Sequence, residues 1–489
     1  MLISNRNSFL IPKKLVVFAL VSFSILYSEV FNGYTLYTPM GNNPVTYLIN
    51  NNNAMIRSWP LPSSIASISY LLPDSSLLVP LRAPTNSWNA QGPMGGRLVR
   101  FDWDGNILWD FTFTGEDFIP HHDIEPLPNG NVLVICFDRK TQEEAIAAGR
   151  SNINGEMWPD KIVEIEPTTP NNGVVVWEWS MWDHLIQDEN PSADNYGVVA
   201  DHPELLDINL GNVGGGGGGG PGGGSNGDWN HVNSVSYNAE RDEIVISSRH
   251  MNEFYVIDHS TTTEEAAGHT GGNSGKGGDI LYRWGNPQNY DRGNAQSQQL
   301  VAQHGVNWIN PGFPGEGNFI LFNNGGNNSN TSYVYEIVPP LDENGNYFIN
   351  ENEPFGPSYP IWTFSGGFHS PMQSGAFRLP NGNTIVTAAQ FGYVFEVELD
   401  GDVVWEYNHP EGNMIARAQK FAMPFNNDPG PSFMLGDANY DGVLNIYDIT
   451  LMVDVSLGVS NPNPPSDYNQ DGIVNFSDIS SLLNFIMFN

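Results

Sequence analysis

The sequence predicts an all-β protein, a six-bladed β-propeller followed by a small α-helical module. Two observations lead to this fold class. Between residues 47 and 407, short runs rich in Val, Ile, Leu, Phe and Tyr alternate with Asn-Gly, Asp-Gly and Pro-Asn-Gly turns, a pattern typical of antiparallel strands. After residue 434, a different and shorter pattern occurs twice. The 489 residues are enough for two such domains.

An internal repeat sets the number of blades. The clearest copies are RLVRFDWDGNILWDF from Arg97 and YVFEVELDGDVVWEY from Tyr393. Weaker copies begin at Lys161, Tyr255 and Tyr333, and a sixth begins at Tyr47. Six four-stranded units close into a ring around a central channel, whereas a β-sandwich has no place for a blade-length repeat. A seven-bladed propeller with one unrecognised blade is the main alternative.

Four segments of the repeat carry a histidine just ahead of an apolar strand. They start at His121, His231, His304 and His369, and each continues through a strand, a polar turn and a second strand. A single histidine in a β-protein is most often structural, but four at equivalent positions favour a shared site. Because the strand after each histidine would be the innermost of its blade, we expect the imidazoles at the mouth of the channel, where rigid scaffolds often place their sites.

The N-terminus predicts export. Basic residues precede an apolar run from residue 15 to 27, which is shorter than the ~20 residues of a membrane span and fits a signal peptide. We therefore predict a signal peptide at 1–33 and no membrane span after its removal. The protein is then expected outside the cell or at the cell surface, with the periplasm as the alternative. A retained anchor is the other interpretation of this segment.

Composition limits the partners. The net charge is −35, with 19 Lys and Arg against 54 Asp and Glu. This acidity argues against nucleic acid and anionic membrane surfaces, since both attract basic patches. The only cysteine, Cys136, lies in the apolar run VLVICF and is expected to be a small core residue.

The domain boundaries follow from these patterns. We expect the propeller at 34–423, a linker at 424–434 and the helical module at 435–489. Residues 187–228 contain GGGGGGGPGGGSNG, which has the composition of a flexible linker. This segment is predicted to be a disordered insertion within a blade.

The C-terminal module carries two twelve-residue loops, DANYDGVLNIYD and DYNQDGIVNFSD, with oxygen ligands at matched positions and Gly at position 6. Calcium prefers six to eight oxygen ligands, and the Gly permits the sharp turn of such a loop. We therefore predict two Ca²⁺ ions. The predicted ligands are Asp437, Asn439, Asp441, the Val443 carbonyl, Asn445 and Asp448 in the first loop, and Asp467, Asn469, Asp471, the Ile473 carbonyl, Asn475 and Asp478 in the second.

An apolar, helix-like stretch follows each loop, and the whole segment resembles a type I dockerin. This resemblance implies calcium-dependent folding and docking to a cohesin-type domain on a surface or scaffold. The pairs Ile446-Tyr447 and Phe476-Ser477 occupy the positions that help contact a cohesin in that family. The two pairs differ, which sets this chain apart from family members that dock symmetrically.

The histidine segments resemble the arylsulfotransferase family over roughly residues 90 to 420. The match rests on DWNHVNSVSY, the following SSRH, and the contexts Gln303-His304 and Phe368-His369. It implies transfer of a sulfuryl group from an aryl sulfate to a phenol, without a nucleotide donor or a catalytic cofactor. His369 matches the histidine that becomes transiently sulfated, and His231 and His304 match the two that flank the sulfuryl group. His122 matches a further histidine of the motif.

The residue types suit this chemistry. A neutral imidazole can attack near neutral pH and form a labile adduct. Imidazolium or arginine groups can stabilise the equatorial oxygens, and a base must deprotonate the acceptor phenol. Where the family carries an arginine after F-D-N-G, this chain reads FNNGGNN from Phe322, with no arginine nearby. Arg249 of the SSRH segment is the candidate substitute.

Two other classes of function stay open. In the first, the propeller is a non-catalytic binding module displayed through its dockerin. In the second, it is a metal-dependent propeller enzyme, such as a polysaccharide lyase; three or four histidines can also ligate a transition metal.

Overall fold

The computed structural model describes residues 30–41, 44–84, 88, 93–211, 213, 227–325, 330–422, 436–438, 444–457, 466, 468 and 474–488. Residues 1–29 of the predicted signal peptide and the whole of the predicted linker lie outside these ranges. Six four-stranded antiparallel sheets form the main body, and a two-stranded parallel sheet lies between the third and fourth of them. The prediction of a six-bladed β-propeller is confirmed.

The blades follow one another along the chain. Blade one contains β1 (Gly33–Pro39), β2 (Val45–Asn50) and β3 (Met55–Pro60), and blade two contains β4 (Tyr70–Leu71), β5 (Leu77–Arg82), β6 (Gly96–Phe101) and β7 (Ile107–Thr112). Blade three contains β8 (Phe118–Pro126), β9 (Val132–Asp138), β10 (Asp160–Thr169) and β11 (Asn172–Ser180), and the parallel pair is β12 (Leu185–Ile186) and β13 (Leu206–Asp207). Blade four contains β14 (Val232–Asn238), β15 (Glu243–Ser248), β16 (Glu253–Asp258) and β17 (Tyr282–Trp284). Blade five contains β18 (His304–Trp308), β19 (Phe319–Asn323), β20 (Tyr333–Ile337) and β21 (Trp362–Phe364), and blade six contains β22 (Gly375–Arg378), β23 (Thr384–Ala388), β24 (Tyr393–Val397) and β25 (Val403–Asn408). The last strand, β26 (Ile415–Ala422), is the innermost strand of blade one.

The pairing of β26 with β1 closes the ring. Tyr34 lies opposite Phe421 and Tyr37 opposite Ala418 in an antiparallel register. Closure leaves no exposed sheet edge between the first and last blades, which removes a common route to aggregation. The innermost strands β26, β4, β8, β14, β18 and β22 surround the channel and run in the same direction.

A tryptophan of the outermost strand explains the Trp-x-aromatic part of the repeat. In every blade, the indole N–H of this tryptophan donates a hydrogen bond to the neighbouring blade. The donors are Trp59, Trp109, Trp177, Trp284, Trp362 and Trp405, and the acceptors are the Asp102, Asn172, Pro357, Leu399 and Asn51 carbonyls and the Thr261 hydroxyl. Five of these indoles are buried and that of Trp362 is partly buried, and the ring of blades gives the polar atom of each a hydrogen-bond partner.

The central strands are apolar on both faces because neighbouring blades cover them. Every residue of β15, β16 and β19 is buried. Cys136 in β9 is fully buried as well, as the sequence predicts. Hydrophobic clusters fill the spaces between adjacent blades.

The predicted disordered insertion needs a correction. Residues 187–211 are ordered and packed in the structure, since they contain β13, which pairs with β12, and since Leu206 and Ile208 join the core between blades three and four. The Gln187 amide group donates hydrogen bonds to the Asn190 carbonyl and to the Asn195 side-chain oxygen. Only the glycine-rich part, residue 212 and residues 214–226, lies outside the described residues. Polyglycine composition dominates this segment and obscures the apolar residues that precede it.

The helices are few. Within the propeller, α1 (Gln142–Ala147) and α2 (Thr263–Ala266) are short and begin with capping boxes at Thr141 and Thr262. One-turn 3-10 helices lie at Met181–Asp183, Val199–Asp201, Pro287–Tyr290 and Ala389–Phe391. Among the described residues, no helix has the length and apolarity needed to cross a membrane.

Two helices, α3 (Ile446–Ser456) and α4 (Phe476–Phe488), make up most of the described part of the C-terminal module. They pack together through a small core that includes Ile449, Met452, Ile479 and Leu482. Each helix begins with the last three residues of one of the two predicted calcium loops.

Candidate functional site

Three of the predicted histidines lie on or directly before the innermost strands of blades three, four and five. His122 is the central residue of β8, His231 directly precedes β14, and His304 is the first residue of β18. The ring centroids of His122 and His231 are 4.6 Å apart. His304 is close enough to both to influence their protonation. Together with His121, they form what we call the histidine cluster.

Irregular backbone turns these side chains toward the channel. The strand registers shift next to His122, His231 and His304, each time between the innermost strand and its neighbour. His122 and His231 have positive φ angles of 52° and 54°. Histidine is among the non-glycine residues that tolerate this region, and bulges of this kind commonly re-aim side chains at active sites.

A buried relay fixes the orientation of His122. His121 Nε2 lies 2.7 Å from Asp160 Oδ1, and His121 Nδ1 lies 2.7 Å from His122 Nδ1. All three side chains are buried. Because the carboxylate accepts a hydrogen bond from His121 Nε2–H, neutral His121 offers only its Nδ1 lone pair to His122. His122 must then carry its proton on Nδ1, which leaves a lone pair on Nε2.

His231 has an equivalent arrangement with a different partner. Its Nδ1 donates to Asp228 Oδ2 over 2.5 Å, so that its Nε2 carries the lone pair. The ring of His250 is tilted by 31° from that of His231 at a centroid distance of 4.7 Å, and its Nδ1 lies 3.9 Å from Asp228 Oδ1. His231 is 16 % exposed and is therefore accessible from the mouth of the channel.

His304 is fixed by the segment where the family arginine is absent. Its Nδ1 lies 2.8 Å from Asn324 Oδ1 and 3.0 Å from the Ala302 carbonyl. The Asn324 amide group donates to the carbonyls of Ser370 and Gln373, which identifies its Oδ1 as the acceptor. His304 Nδ1 is therefore protonated and Nε2 carries the lone pair.

His369 lies on the loop before β22 and is partly buried. The adjacent residue, Ser370, is buried and accepts a hydrogen bond from the Asn324 amide at 2.7 Å. Asn324 thus links His304 directly to the loop that carries His369. Unlike the other three histidines, His369 lies neither on its innermost strand nor directly before it, because five residues separate it from Gly375.

Burial keeps His122, His231 and His304 neutral. It lowers the pKa of His122, His231 and His304 well below the ordinary imidazole value, and neighbouring positive groups lower these values further. The pKa of His250 falls to about 4 for the same reasons. These rings are therefore hydrogen-bond acceptors at Nε2 at pH 7. The imidazolium donors expected from the sequence do not exist in the free protein.

Two arginines border the cluster. Arg249 lowers the pKa of His231 and His304, which places its positive charge close to both. Arg417 in β26 forms an ion pair with Asp123 at 2.5 Å and lowers the pKa of His122. Arg249 is thus where a substitute for the missing family arginine is expected. Arg417 was not predicted from the sequence.

Other site residues were also missed. His121 was noted only as part of a segment, and Asp160, Asp228 and Asn324 were not predicted to act. An Asp three residues before His231 is a recognisable signal. Asp160 carries no such signal, because it is 39 residues from His121 and comes from another strand of the blade.

Three of the side chains at the cluster could also ligate a metal. Ligand atoms of Asp228, His231 and His250 all lie within 4.8 Å of one another. Asp228 Oδ1 and His250 Nε2 are buried without a hydrogen-bond partner among the described residues. Two imidazoles and a carboxylate form a donor set that suits divalent transition metals.

Of the calcium ligands predicted in the C-terminal module, the structure describes Asp437, Asn445, Asp448, Asn475 and Asp478; the others lie outside the described residues. Asp437, Asp448 and Asp478 are buried carboxylates. Asn445 caps α3, and its backbone N–H donates to Asp448 at 2.8 Å; Asn475 and Asp478 repeat this contact at 2.9 Å. Buried acidic oxygens at matched positions fit the requirements of Ca²⁺.

The proposed cohesin-contacting pairs are exposed at the starts of these helices. Ile446 and Tyr447 are 60 % and 62 % exposed, and Phe476 is 77 % exposed. Large exposed apolar side chains at equivalent places on two helices are typical of a protein-binding surface.

Solved structures of similar shape have low sequence identity. A protein of unknown function from Bacteroides caccae is 12% identical, covers 80% of this chain and 100% of its own, and gives a TM-score of 0.40. The periplasmic gluconolactonase PpgL of Pseudomonas aeruginosa is 11% identical with a TM-score of 0.40, covering 80% of this chain and 99% of that chain. Virginiamycin B lyase from Staphylococcus aureus is 11% identical with a TM-score of 0.33, covering 80% and 96%. Scores of this size say nothing about the chemistry of this chain.

No curated protein is significantly similar to the chain in sequence. The family model "Arylsulfotransferase (ASST)", in contrast, matches residues 88–354, which is more than half of the 489 residues. The matched range contains His122, His231, His304 and Arg249, and it ends before His369. With the six-bladed propeller and the histidine cluster, this match establishes that the chain belongs to the arylsulfotransferase family.

Proposed function

We propose that this protein transfers a sulfuryl group from an aryl sulfate to a phenolic acceptor through a sulfohistidine at His369. The observation that carries the proposal is the arrangement of His122, His231 and His304, whose Nδ1 atoms are all occupied by fixed partners. Three neutral imidazoles therefore offer their Nε2 atoms at one mouth of the channel. Family membership supplies the type of reaction.

In the first half-reaction, an imidazole nitrogen of His369 attacks the sulfur of the aryl sulfate. A nitrogen–sulfur bond forms, the sulfur–oxygen bond to the ring breaks, and the electron pair leaves with the phenolate. A neutral imidazole is suited to this step because its sulfuryl adduct is labile. The positive charge of Arg249 lies near His231 and His304, where it stabilises the negative charge on the sulfuryl oxygens.

In the second half-reaction, the acceptor phenol attacks the sulfuryl group while a base removes its proton. We assign this base to His122, because the relay through His121 and Asp160 leaves its Nε2 unprotonated. The nitrogen–sulfur bond breaks and its electron pair returns to His369. The proton on His122 finally neutralises the phenolate released in the first half-reaction, so that atoms and charges balance over the cycle.

The donor roles of His231 and His304 depend on the bound anion. Both rings are neutral in the free protein, and an anion placed against Nε2 stabilises their protonated forms. They become donors to the sulfuryl oxygens by taking up a proton on binding. Arg249 is charged throughout and needs no such step.

Aryl sulfate binding should therefore strengthen as the pH falls. Burial lowers the pKa values of His231 and His304 in the free protein, and the anion raises them in the complex. The extra affinity is lost as pH rises through the pKa of the complex, and it changes by up to about tenfold per pH unit for each proton taken up. Calorimetric titration of the His369→Ala variant, which does not consume the ligand, measures this dependence. An affinity that is independent of pH would contradict the donor roles.

The activity itself is tested with a chromogenic aryl sulfate and a phenol acceptor. We expect release of the donor phenol that depends on the acceptor, without added metal or nucleotide. A purified, folded protein that transfers no sulfuryl group between any phenolic pair would reject the proposal. The non-catalytic binding module would then be the better interpretation.

A metal-dependent reaction is the second candidate function, favoured by the convergence of Asp228, His231 and His250. The test is elemental analysis of the purified protein together with its Asp228→Asn variant. A stoichiometric transition metal that is lost in the variant would support this function. Wild-type protein that transfers sulfuryl groups equally well after transition metals have been removed would exclude it.

We also propose that the protein is secreted and attaches to a cohesin-type domain through a calcium-loaded dockerin. The acidic loops, the exposed pairs at the starts of α3 and α4, and the apolar N-terminal run support this placement. The N-terminal run and several of the loop ligands lie outside the described residues.

Chelation should unfold the C-terminal module and leave the propeller folded. Without Ca²⁺, the buried carboxylates of Asp448 and Asp478 lose the charge that offsets their desolvation. Calorimetry of the full chain should show a transition that disappears with EDTA or with Asp448→Ala and Asp478→Ala together. The propeller transition in the same scan is the internal control. A scan that EDTA leaves unchanged would refute calcium binding.

A further inference from the structure

A cavity of about 600 Å³ lies at the opposite end of the channel from the histidine cluster. His231 directly precedes β14, His304 begins β18 and His122 is the central residue of β8, whereas the cavity is lined by residues closer to the ends of these strands. The lining residues include Glu125 of β8, Ser236 of β14 and Trp308 of β18. We call this space the channel-base cavity.

An ion pair separates the two ends. Arg417 is buried, binds Asp123 and lines the channel-base cavity, while on its other side it influences His122. Asp123 also accepts a hydrogen bond from Tyr70 at 2.8 Å. The aliphatic part of Arg417 crosses Gly375 so closely that a Cβ there would lie 2.6 Å from its Cδ. The guanidinium is thus held in the middle of the channel, and the cavity is distinct from the histidine cluster.

The charged groups of the cavity are balanced. Arg100 is paired with Asp74, Arg378 with Glu336, and Arg417 with Asp123. Burial and the nearby Asp123 raise the pKa of Glu125 to about 8, so this side chain is a neutral acid at pH 7. The cavity therefore offers no unpaired charge to an ionic ligand.

The rest of the lining is apolar and includes several aromatic rings, among them Tyr70, Trp109, Trp308, Phe377 and Phe421. A cavity of this size with such walls is typical of a binding site for a small organic molecule. Aromatic rings favour a flat ligand that can stack or pack edge-to-face against them.

Two donors in the lining lack acceptors among the described residues. Trp308 is only 6 % exposed, and its indole N–H is buried without a hydrogen-bond partner. The Nε of Arg378 is likewise buried without a partner. Native proteins rarely leave buried donors unpaired, because each lost hydrogen bond costs stability. A bound molecule with an acceptor oxygen would satisfy them.

We propose that the channel-base cavity binds an uncharged, flat aromatic molecule whose carbonyl or ether oxygen accepts a hydrogen bond from Trp308. The proposal does not depend on sulfuryl transfer, since the ion pair of Arg417 and Asp123 separates this cavity from the histidine cluster. It gives the chain a second ligand site on the opposite side of the propeller.

The test uses 7-methoxycoumarin, an uncharged fluorescent ring with carbonyl and ether oxygens, and the full-length protein. We expect saturable binding to the wild type, about five- to tenfold weaker binding to Trp308→Phe, and unchanged binding to His231→Ala. Trp405→Phe is the matched control, because its indole bonds Asn51 in another part of the ring. Gln419→Trp, which adds bulk to the cavity from β26, should block binding independently.

Three results would overturn the proposal. The first is absence of saturable binding to the wild type. The second is loss of binding in His231→Ala while Gln419→Trp still binds, which would locate the ligand at the histidine cluster. The third is equally tight binding of coumarin-3-carboxylate, which would contradict a site for uncharged ligands.

Discussion

Replacing His369 by alanine should abolish turnover while the propeller stays folded. The change removes the nitrogen that accepts the sulfuryl group but leaves His122, His231 and His304 with their partners. The loss of a covalent nucleophile typically lowers the rate by about 10⁴-fold or more, because the remaining groups can only stabilise a direct reaction. We expect no release of phenol from the donor, even in a single turnover.

Mass spectrometry distinguishes the loss of the nucleophile from general damage to the site. Wild-type protein mixed briefly with an aryl sulfate should gain one sulfuryl group, and peptide mapping should locate it on His369. His409→Ala is the matched control, because His409 lies after β25 beside Tyr37 and Tyr47 and takes no part in the histidine cluster. An adduct that maps to His122, His231 or His304 would assign the nucleophile to that residue instead.

The number of blades was predictable because each blade must solve the same packing problem. Each places one tryptophan on its outer strand and bonds it to the next blade, which makes the repeat visible in the sequence. The ordered part of the insertion was not predictable in this way. Residues 187–211 pack through a single short parallel pair, which has no periodic signature.

The site was predictable only in part. The histidines belong to the repeat, so their positions near one mouth of the channel follow from the fold. Their partners do not belong to it: Asp160 reaches His121 from β10, and Arg417 reaches the channel on the strand that closes the ring. The protonation states of the histidines were not predictable either. Burial keeps the rings neutral, and the degree of burial is a property of the closed ring that the sequence pattern does not contain.

Asp160→Asn should slow the complete reaction by about 10²–10⁴-fold, the usual range for losing general-base catalysis. The reason is a change of tautomer along the relay. Asp160 Oδ2 accepts a hydrogen bond from the Val232 backbone N–H at 2.8 Å, and the other oxygen binds His121. In the variant, Val232 N–H will keep the amide oxygen on its side, so the amide N–H₂ faces His121 Nε2.

His121 Nε2 must then accept a hydrogen bond, and its proton moves to Nδ1. This proton is donated to His122 Nδ1, which in turn forces the proton of His122 onto Nε2. His122 can no longer take a proton from the acceptor phenol. The first half-reaction with a good leaving group needs no base, so the sulfuryl adduct should still form at close to the wild-type rate. We therefore expect a burst of released phenol followed by very slow turnover.

The matched control is Asp242→Asn, because Asp242 holds His259 through a 2.8 Å contact away from the channel mouth. This variant replaces an equivalent aspartate–histidine partner and should leave both half-reactions unchanged. Equal slowing of both half-reactions by Asp160→Asn would mean that Asp160 only supports the shape of the site. An unchanged steady-state rate would remove His122 from the role of base and leave His231 or His304 to accept the proton.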